Sequence, residues 1–337
     1  MQRQVIDELG ATVIYQHQLD ANGDLTTESL KNSPPGSALL RHFLGDDLFA
    51  TVAELQTHGG QYRERISTEP LGRLTELREV HVGVATELSQ LEGLENLQKL
   101  ETIYFANCKQ VTDFSPLSQL SQLKNVYLSE CDNMVELPFQ NCFEIEKMAV
   151  SDFRQLGNLA LLEQMTKLSS LRISSIKTVD LSNTPPNDIS LLSIRFCDGP
   201  FNMSGIRNFR SLKTLEISTC SGLESISELS QLKNLESLSL IGSKSLNDFT
   251  PIASLSQLKE LDLSFCEGLT DLGWISELQS LERLDIAANY NLKNWQALKT
   301  LKKLKRLNLS ATRYFHTNDL DELKKQLPDT MIGGFAW

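Results

Sequence analysis

Leu100-Glu101-Thr102-Ile103-Tyr104-Phe105-Ala106-Asn107-Cys108 and Leu123-Lys124-Asn125-Val126-Tyr127-Leu128-Ser129-Glu130-Cys131 share one apolar spacing, L-x-x-L-x-L-x-x-C, 23 positions apart. Leu212, Leu215, Ile217 and Cys220 repeat it, as do Leu258, Leu261, Leu263 and Cys266. The leading residues fall at 77, 100, 123, 145, 168, 189, 212, 235, 258, 281 and 304, in steps of 23 interrupted by one of 22 and one of 21. So steady a period marks one structural unit repeated along the chain.

Alternation within L-x-L makes that segment a short strand with its leucines on one side. One strand and one return segment cannot bury that side alone, so the units must stack into a parallel sheet over a continuous core. The return segment is apolar at every third residue, as in Leu223, Ile226, Leu229 and Leu232, which predicts 3-10 turns or irregular arcs. Pro116 and Pro251 occupy equivalent places and fix φ there. Two coils break the rhythm: one reads Glu136-Leu137-Pro138-Phe139-Gln140-Asn141-Cys142-Phe143-Glu144, and the coil from Leu168 is shortened around Asn183-Thr184-Pro185-Pro186. A local bulge in the outer surface is the first reading of both, and a contact site the second.

The unit resembles the leucine-rich repeat in a Cys-containing, bacterial-type variant. That resemblance implies an α/β repeat solenoid, a leucine-rich-repeat horseshoe with a parallel β-sheet on the concave face and 3-10 or irregular convex arcs. Glu8-Leu9-Gly10, Tyr15-Gln16, Pro34-Pro35-Gly36 and Leu44-Gly45-Asp46-Asp47-Leu48-Phe49 are similar to the junction before the repeats in a bacterial leucine-rich-repeat group. A membrane-spanning helix often precedes the junction in that group; the match implies no catalytic residues. Three parts are expected: a mixed α/β junction over 1–51, an array of about 11 or 12 coils over 52–314, and a helical cap and tail over 315–337. In the first, Val5–Leu9 reads as helix, Thr12–Leu25 as two strands around Asn22-Gly23, Ser29–Gly36 as a loop, and Ala38–Leu44 and Asp46–Leu55 as helical or leading into a degenerate coil from Val52. In the last, Thr317–Pro328 reads as a helix with acids early, lysines late and a stripe of Leu320, Leu323 and Leu327.

The 337 residues carry a net charge of -11, which disfavours general binding to nucleic acid or an anionic membrane. No run of 18 or more apolar residues suggests a membrane helix, and the start has no signal-like stretch. The reading is a cytoplasmic monomer. Five of the six cysteines (Cys108, Cys131, Cys197, Cys220 and Cys266) share the ninth repeat position, where Ser243, Asn289, Thr312 and Ala85 stand in other coils. They read as small, free, inward-facing core thiols rather than a site. The histidines lack ligand spacing, and Asp20-Ala21-Asn22-Gly23-Asp24 has its glycine two places early for a calcium loop. No metal, cofactor or catalytic residue is expected, and the protein is not read as an enzyme.

The residues between the core positions of each strand face outward on the expected concave side. His81, Tyr104 and Tyr127 lead that face, Lys147, Arg172, Arg195, Leu191 and Phe196 follow, and Glu216 and Asp262 mark an acidic stretch. Tyrosine and arginine most often dominate binding energy. The expected function is a non-catalytic scaffold binding a protein partner across this face. Alternatives are recognition of an anionic ligand or carbohydrate, or the soluble part of a membrane-anchored repeat protein.

Overall fold

In the computed structural model, residues 12–14, 52–56, 66–83, 88–153, 160–312 and 317–333 are described. The expected helices and loop before residue 51, and the turn at Asn22-Gly23, lie outside them. The chain divides into two compact units, Met1–Gly157 with Gln164–Lys167, and Asn158–Glu163 with Leu168–Trp337.

The first unit holds β1 (Thr12–Ile14), β2 (Val52–Gln56), β3 (Ile66–Ser67), β4 (Glu79–Gly83), β5 (Leu88–Gln90), β6 (Thr102–Ala106), β7 (Asn125–Ser129) and β8 (Lys147–Ser151). Strands β2, β4, β6, β7 and β8 pair in parallel in that order. β1 runs antiparallel to β2, with Thr12 opposite Glu54. Val52–Gln56 is therefore a strand, as a coil beginning at Val52 requires, and it is the partner of Thr12–Ile14.

The second unit holds β9 (Ser170–Ser174), β10 (Val179–Asp180), β11 (Leu191–Arg195), β12 (Phe201–Asn202), β13 (Thr214–Ser218), β14 (Ser237–Ser239), β15 (Glu260–Asp262), β16 (Arg283–Asp285), β17 (Arg306–Asn308), the helix α1 (Thr317–Gln326) and β18 (Met331–Gly333). Here β9, β11 and β13 to β18 form one parallel sheet. Register places like on like: Leu171, Leu192, Leu215, Leu238, Leu261, Leu284, Leu307 and Ile332 form one column. The seven leucines of that column are at most 1% exposed. After the last coil, α1 buries Leu323 and leaves Leu320 half-buried, Leu327 is buried just beyond the helix, and the chain then adds β18 to the sheet edge beside β17.

The return segments are 3-10 helices, among them Ser115–Gln119, Ser227–Gln231, Thr250–Ser254 and Gly273–Glu277. Two local devices start them. Pro116 and Pro251 sit in the first turn, where no amide is needed. Asp113, Asp248 and Asp271 each accept the N–H two residues on, at 2.8, 2.9 and 2.6 Å. The irregular coil after Cys131 has no 3-10 helix between Cys131 and Glu146; it buries Phe139 and Cys142 and leaves Val135 and Phe143 about half exposed.

Each of β6 to β9, β11 and β13 to β17 is followed by a residue with positive φ: Asn107, Glu130 and Asp152 in the first unit, and Ser175, Phe196, Thr219, Gly242, Phe265, Ala288 and Ala311 in the second. That conformation turns the amide toward the next coil. Asn107 donates to the Ser129 carbonyl at 3.0 Å, Phe196 to Ser218 at 3.0 Å and Phe265 to Ala287 at 3.0 Å. Non-glycine residues accept a penalty of about 1–2 kcal/mol each for it. In some coils the following ninth-position side chain donates into the bend, whereas Ser243 Oγ has no partner and Phe153 and Ile176 have no donor. Cys131 Sγ donates to the Ser129 carbonyl at 3.4 Å and Cys266 Sγ to Leu240 at 3.1 Å. Asn289 does so with carbonyls of Leu263 and Ile286, each at 2.9 Å. These cysteines are thus donors as well as small core groups, and all six are free.

Coils also touch backbone to backbone at glycine. A Cβ on Gly205 would stand 1.6 Å from the Leu181 carbonyl oxygen. Gly205→Ala should cost about 2 kcal/mol or more through forced backbone movement. Gly242→Ala meets no atom closer than 3.4 Å and bears only the φ of 68°, so about 1 kcal/mol is expected. Denaturant midpoints of the two variants check the order.

Candidate functional site

In the first unit, strand register sets His81 opposite Tyr104, Tyr104 opposite Tyr127 and Tyr127 opposite Ala149. The rings of His81 and Tyr104 stack at 5.9 Å with 19° between planes, and those of Tyr104 and Tyr127 follow at 6.1 Å and 35°. Tyr104 is 44% exposed. The stack is ordered by the sheet itself, because adjacent strands lie about 4.8 Å apart and each ring limits the rotamers of the next. Glu79 sits 3.6 Å from the His81 imidazole. Lys147, exposed, lies opposite Asn125 in the flanking column, and Ala149 closes the aromatic column with a small residue.

The second unit holds the other expected residues in a different state. Arg172 is exposed and donates to Ser170 Oγ at 3.0 Å. Arg195 is ion-paired to Glu216 at 2.5 Å, and Ser193 and Ser218 donate to the same carboxylate at 2.9 and 3.2 Å. Arg195 and Glu216 thus neutralise each other within the sheet. Leu191 is half-buried between Ser170 and Thr214. Phe196 is 54% exposed at a left-handed bend, and Phe265 repeats this at 57%. Asp262 is only 8% exposed, so its carboxylate is tucked into the sheet rather than presented.

Sequence reasoning missed a charge ladder at the second repeat position. In the first unit Arg78 and Lys124 flank Glu101 at 2.5 and 3.0 Å. In the second, Lys213 and Lys259 flank Glu236 at 3.6 and 2.5 Å, and Lys305 meets Glu282 at 2.6 Å. The column from Lys213 to Lys305 alternates Lys, Glu, Lys, Glu, Lys. A hydrogen bond from Lys124 holds Glu101 below its ordinary range, and those from Lys259 and Lys305 do the same to Glu236 and Glu282. The alternation was present in the sequence, but only a fixed register makes it a contact.

A hydrogen bond with Cys220 holds the Cys197 thiol below its ordinary value and raises Cys220 in return, and both side chains are fully buried. Burial pushes Cys142 up to about 11 and Cys266 up to about 12, and a hydrogen bond with Cys131 raises Cys108 further. Among the described residues, no group of three or more His, Cys, Asp or Glu is placed to hold a metal ion. Among them also, no helix is long and apolar enough to cross a membrane.

Asp262 carries the clearest pH dependence. Burial raises it to about 6, against hydrogen bonds from Ser264 N–H at 2.9 Å and Ser264 Oγ at 2.7 Å, and with Asp285 and Glu216 adding repulsion. A raised carboxyl binds more protons folded than unfolded. Its contribution is most favourable below about pH 4 and is lost as pH rises through about 6. The lowered glutamates act oppositely and lose their contribution as pH falls below their ordinary range. Asp262→Asn should therefore stabilise the fold at pH 7.5 by roughly 1–3 kcal/mol and flatten the slope between about pH 4 and 6. Asn308, which donates to Asp285 Oδ2 at 2.7 Å, shows that an amide suits this column. Urea melts across that pH range decide it.

No protein-family model matches the sequence, and no curated protein does. Among solved structures, an internalin (InlF) of Listeria monocytogenes is similar over 99% of this chain and 97% of its own, at 19% identity and a TM-score of 0.68. Two others cover 78% of this chain and 91% of their own at 16% identity. They are a leucine-rich-repeat protein of Leptospira interrogans, with a TM-score of 0.30, and internalin C2 of L. monocytogenes, with 0.44. The 23-residue period, the parallel strands, the 3-10 return arcs and the first of these likenesses agree: this chain has the leucine-rich-repeat fold.

Proposed function

We propose that this protein is a non-catalytic scaffold that binds a protein partner on its strand face, anchored by the His81–Tyr104–Tyr127 stack. The observation that carries this reading is the stack itself: three ring side chains, ordered on adjacent strands and open to solvent. Preordered aromatic groups lose little side-chain freedom on binding and bring large contact area with a polar tip. Lys147, on the same face, adds an exposed charge that orients an incoming partner. In the second unit Arg172, Leu191 and Phe196 offer further contacts. Arg195 and Glu216 serve chiefly to hold one another.

Affinity capture from the native lysate, quantified by mass spectrometry, tests the assignment. A Tyr104→Ala/Tyr127→Ala protein should lose the specific partner by roughly tenfold or more, as expected when two central anchors are truncated. A Val135→Ala/Phe143→Ala protein, altered in the return segment, should retain it. Equal capture by all three proteins, with unchanged circular dichroism, would reject the strand face as the binding surface.

A further inference from the structure

The second unit ends on a concentration of positive charge that is only partly paired: Lys305 meets Glu282 and Lys299 meets Glu322, and the rest form no ion pair among the described residues. Between Ala287 and Asn318 the sequence has seven lysines and arginines and no aspartate or glutamate, in a chain whose net charge is -11. In the charge ladder, Glu236 lies between Lys213 and Lys259, and Glu282 between Lys259 and Lys305, so each glutamate serves a cation on either side. Lys305 stands on the last rung, with no glutamate on the far side: the next backbone along is that of Met331, whose N–H donates to the Lys305 carbonyl at 2.9 Å. The neighbouring column repeats the situation. Arg283 is ion-paired to Glu260, whereas Arg306 lies beside Arg283 and opposite Met331. Lys303 and Arg306 are exposed and form no ion pair among the described residues.

We infer that the last repeat coil, through Lys303, Lys305 and Arg306, is a docking surface for a carboxylate-rich polypeptide segment of a partner protein. An incoming carboxylate takes, on the far side of Lys305, the place that a second glutamate takes beside Lys259, which lies between Glu236 and Glu282. The segment is short. Attraction is confined to one coil, about 5 Å thick. Beyond a Debye length of about 8 Å a long polyanion meets the net acidity of the chain. That limit favours a peptide over duplex DNA or an anionic bilayer. The surface is separate from the aromatic stack, so it stands or falls independently of it.

Fluorescence anisotropy of a labelled hexaglutamate peptide, titrated with the full chain at low and at physiological salt, tests the inference. Binding is expected, with roughly tenfold loss in Lys303→Glu/Arg306→Glu and little change in Lys177→Glu/Lys233→Glu, which alters net charge equally. Lys303→Gln/Arg306→Gln gives the same direction if the reversal impairs folding. Absence of peptide binding, or equal loss in the control pair, overturns the assignment. So does tighter binding at physiological salt to duplex DNA or to phosphatidylserine vesicles. Self-association that disappears in the reversal variant, with the peptide inert, overturns it in favour of a second copy of this chain.

Discussion

The fold depends on the hydrogen bond that the bend residues make from one coil to the next, from Asn107 to Ala288. After each strand the chain must turn out of the sheet, and a turn ordinarily breaks the inter-strand ladder. A left-handed residue at that point keeps the ladder running: its amide still reaches the neighbouring coil, as from Thr219 to the Ile241 carbonyl at 2.7 Å and from Ala288 to Ser310 at 2.8 Å. The conformation is unfavourable for any residue with a Cβ. Although Phe153, Ile176 and Ser243 supply none, in other coils the carbonyls of the bend receive a second donor from the ninth side chain. Cysteine, asparagine and threonine all do this, with Thr312 Oγ1 at 2.6 Å from the Leu309 carbonyl.

Once the bend is fixed, register follows, and register makes every other feature of the surface. A parallel sheet of identical units places equivalent residues one above another. Each sequence position then becomes a column, and a column has collective properties that no single residue has. Alternating signs become an ion-pair ladder, and three rings become a stack. Individually, exposed ion pairs contribute little. Their effect here is to bias one register over a slipped one, since a slip by a single coil would set glutamate against glutamate along the column.

The core and the coil architecture were legible because burial has a period. Leucine at every strand position and apolar residues at every third return position are direct consequences of which side faces inward. The outward direction of His81, Tyr104 and Tyr127 was legible for the same reason. What could not be read concerns positions where residue identity does not encode conformation. The left-handed column contains Asn, Glu, Asp, Ser, Phe, Thr, Gly and Ala, a mixture without a compositional signature. Arg195 looked like a free cation because its partner Glu216 lies 21 residues on, across a neighbouring strand. Asp262 looked presented, yet the pleat and Ser264 draw it in until only 8% remains exposed. The strand at Val52–Gln56 belongs to a segment without the period, and its apolar content did not separate strand from helix.

This division between a repeated interior and a variable exterior bears on how binding specificity arises. The interior requirements are the same in every coil, so mutation there is constrained many times over by neighbours above and below. The outward strand positions carry no such requirement and differ from coil to coil: ring, arginine, serine, carboxylate. At the ends of a ladder the balance changes again, because the last rung inherits the preferences of the column without the neighbour that satisfies them. Lys305 is such a rung: Glu282 pairs with it on one side, and it forms no ion pair on the other among the described residues.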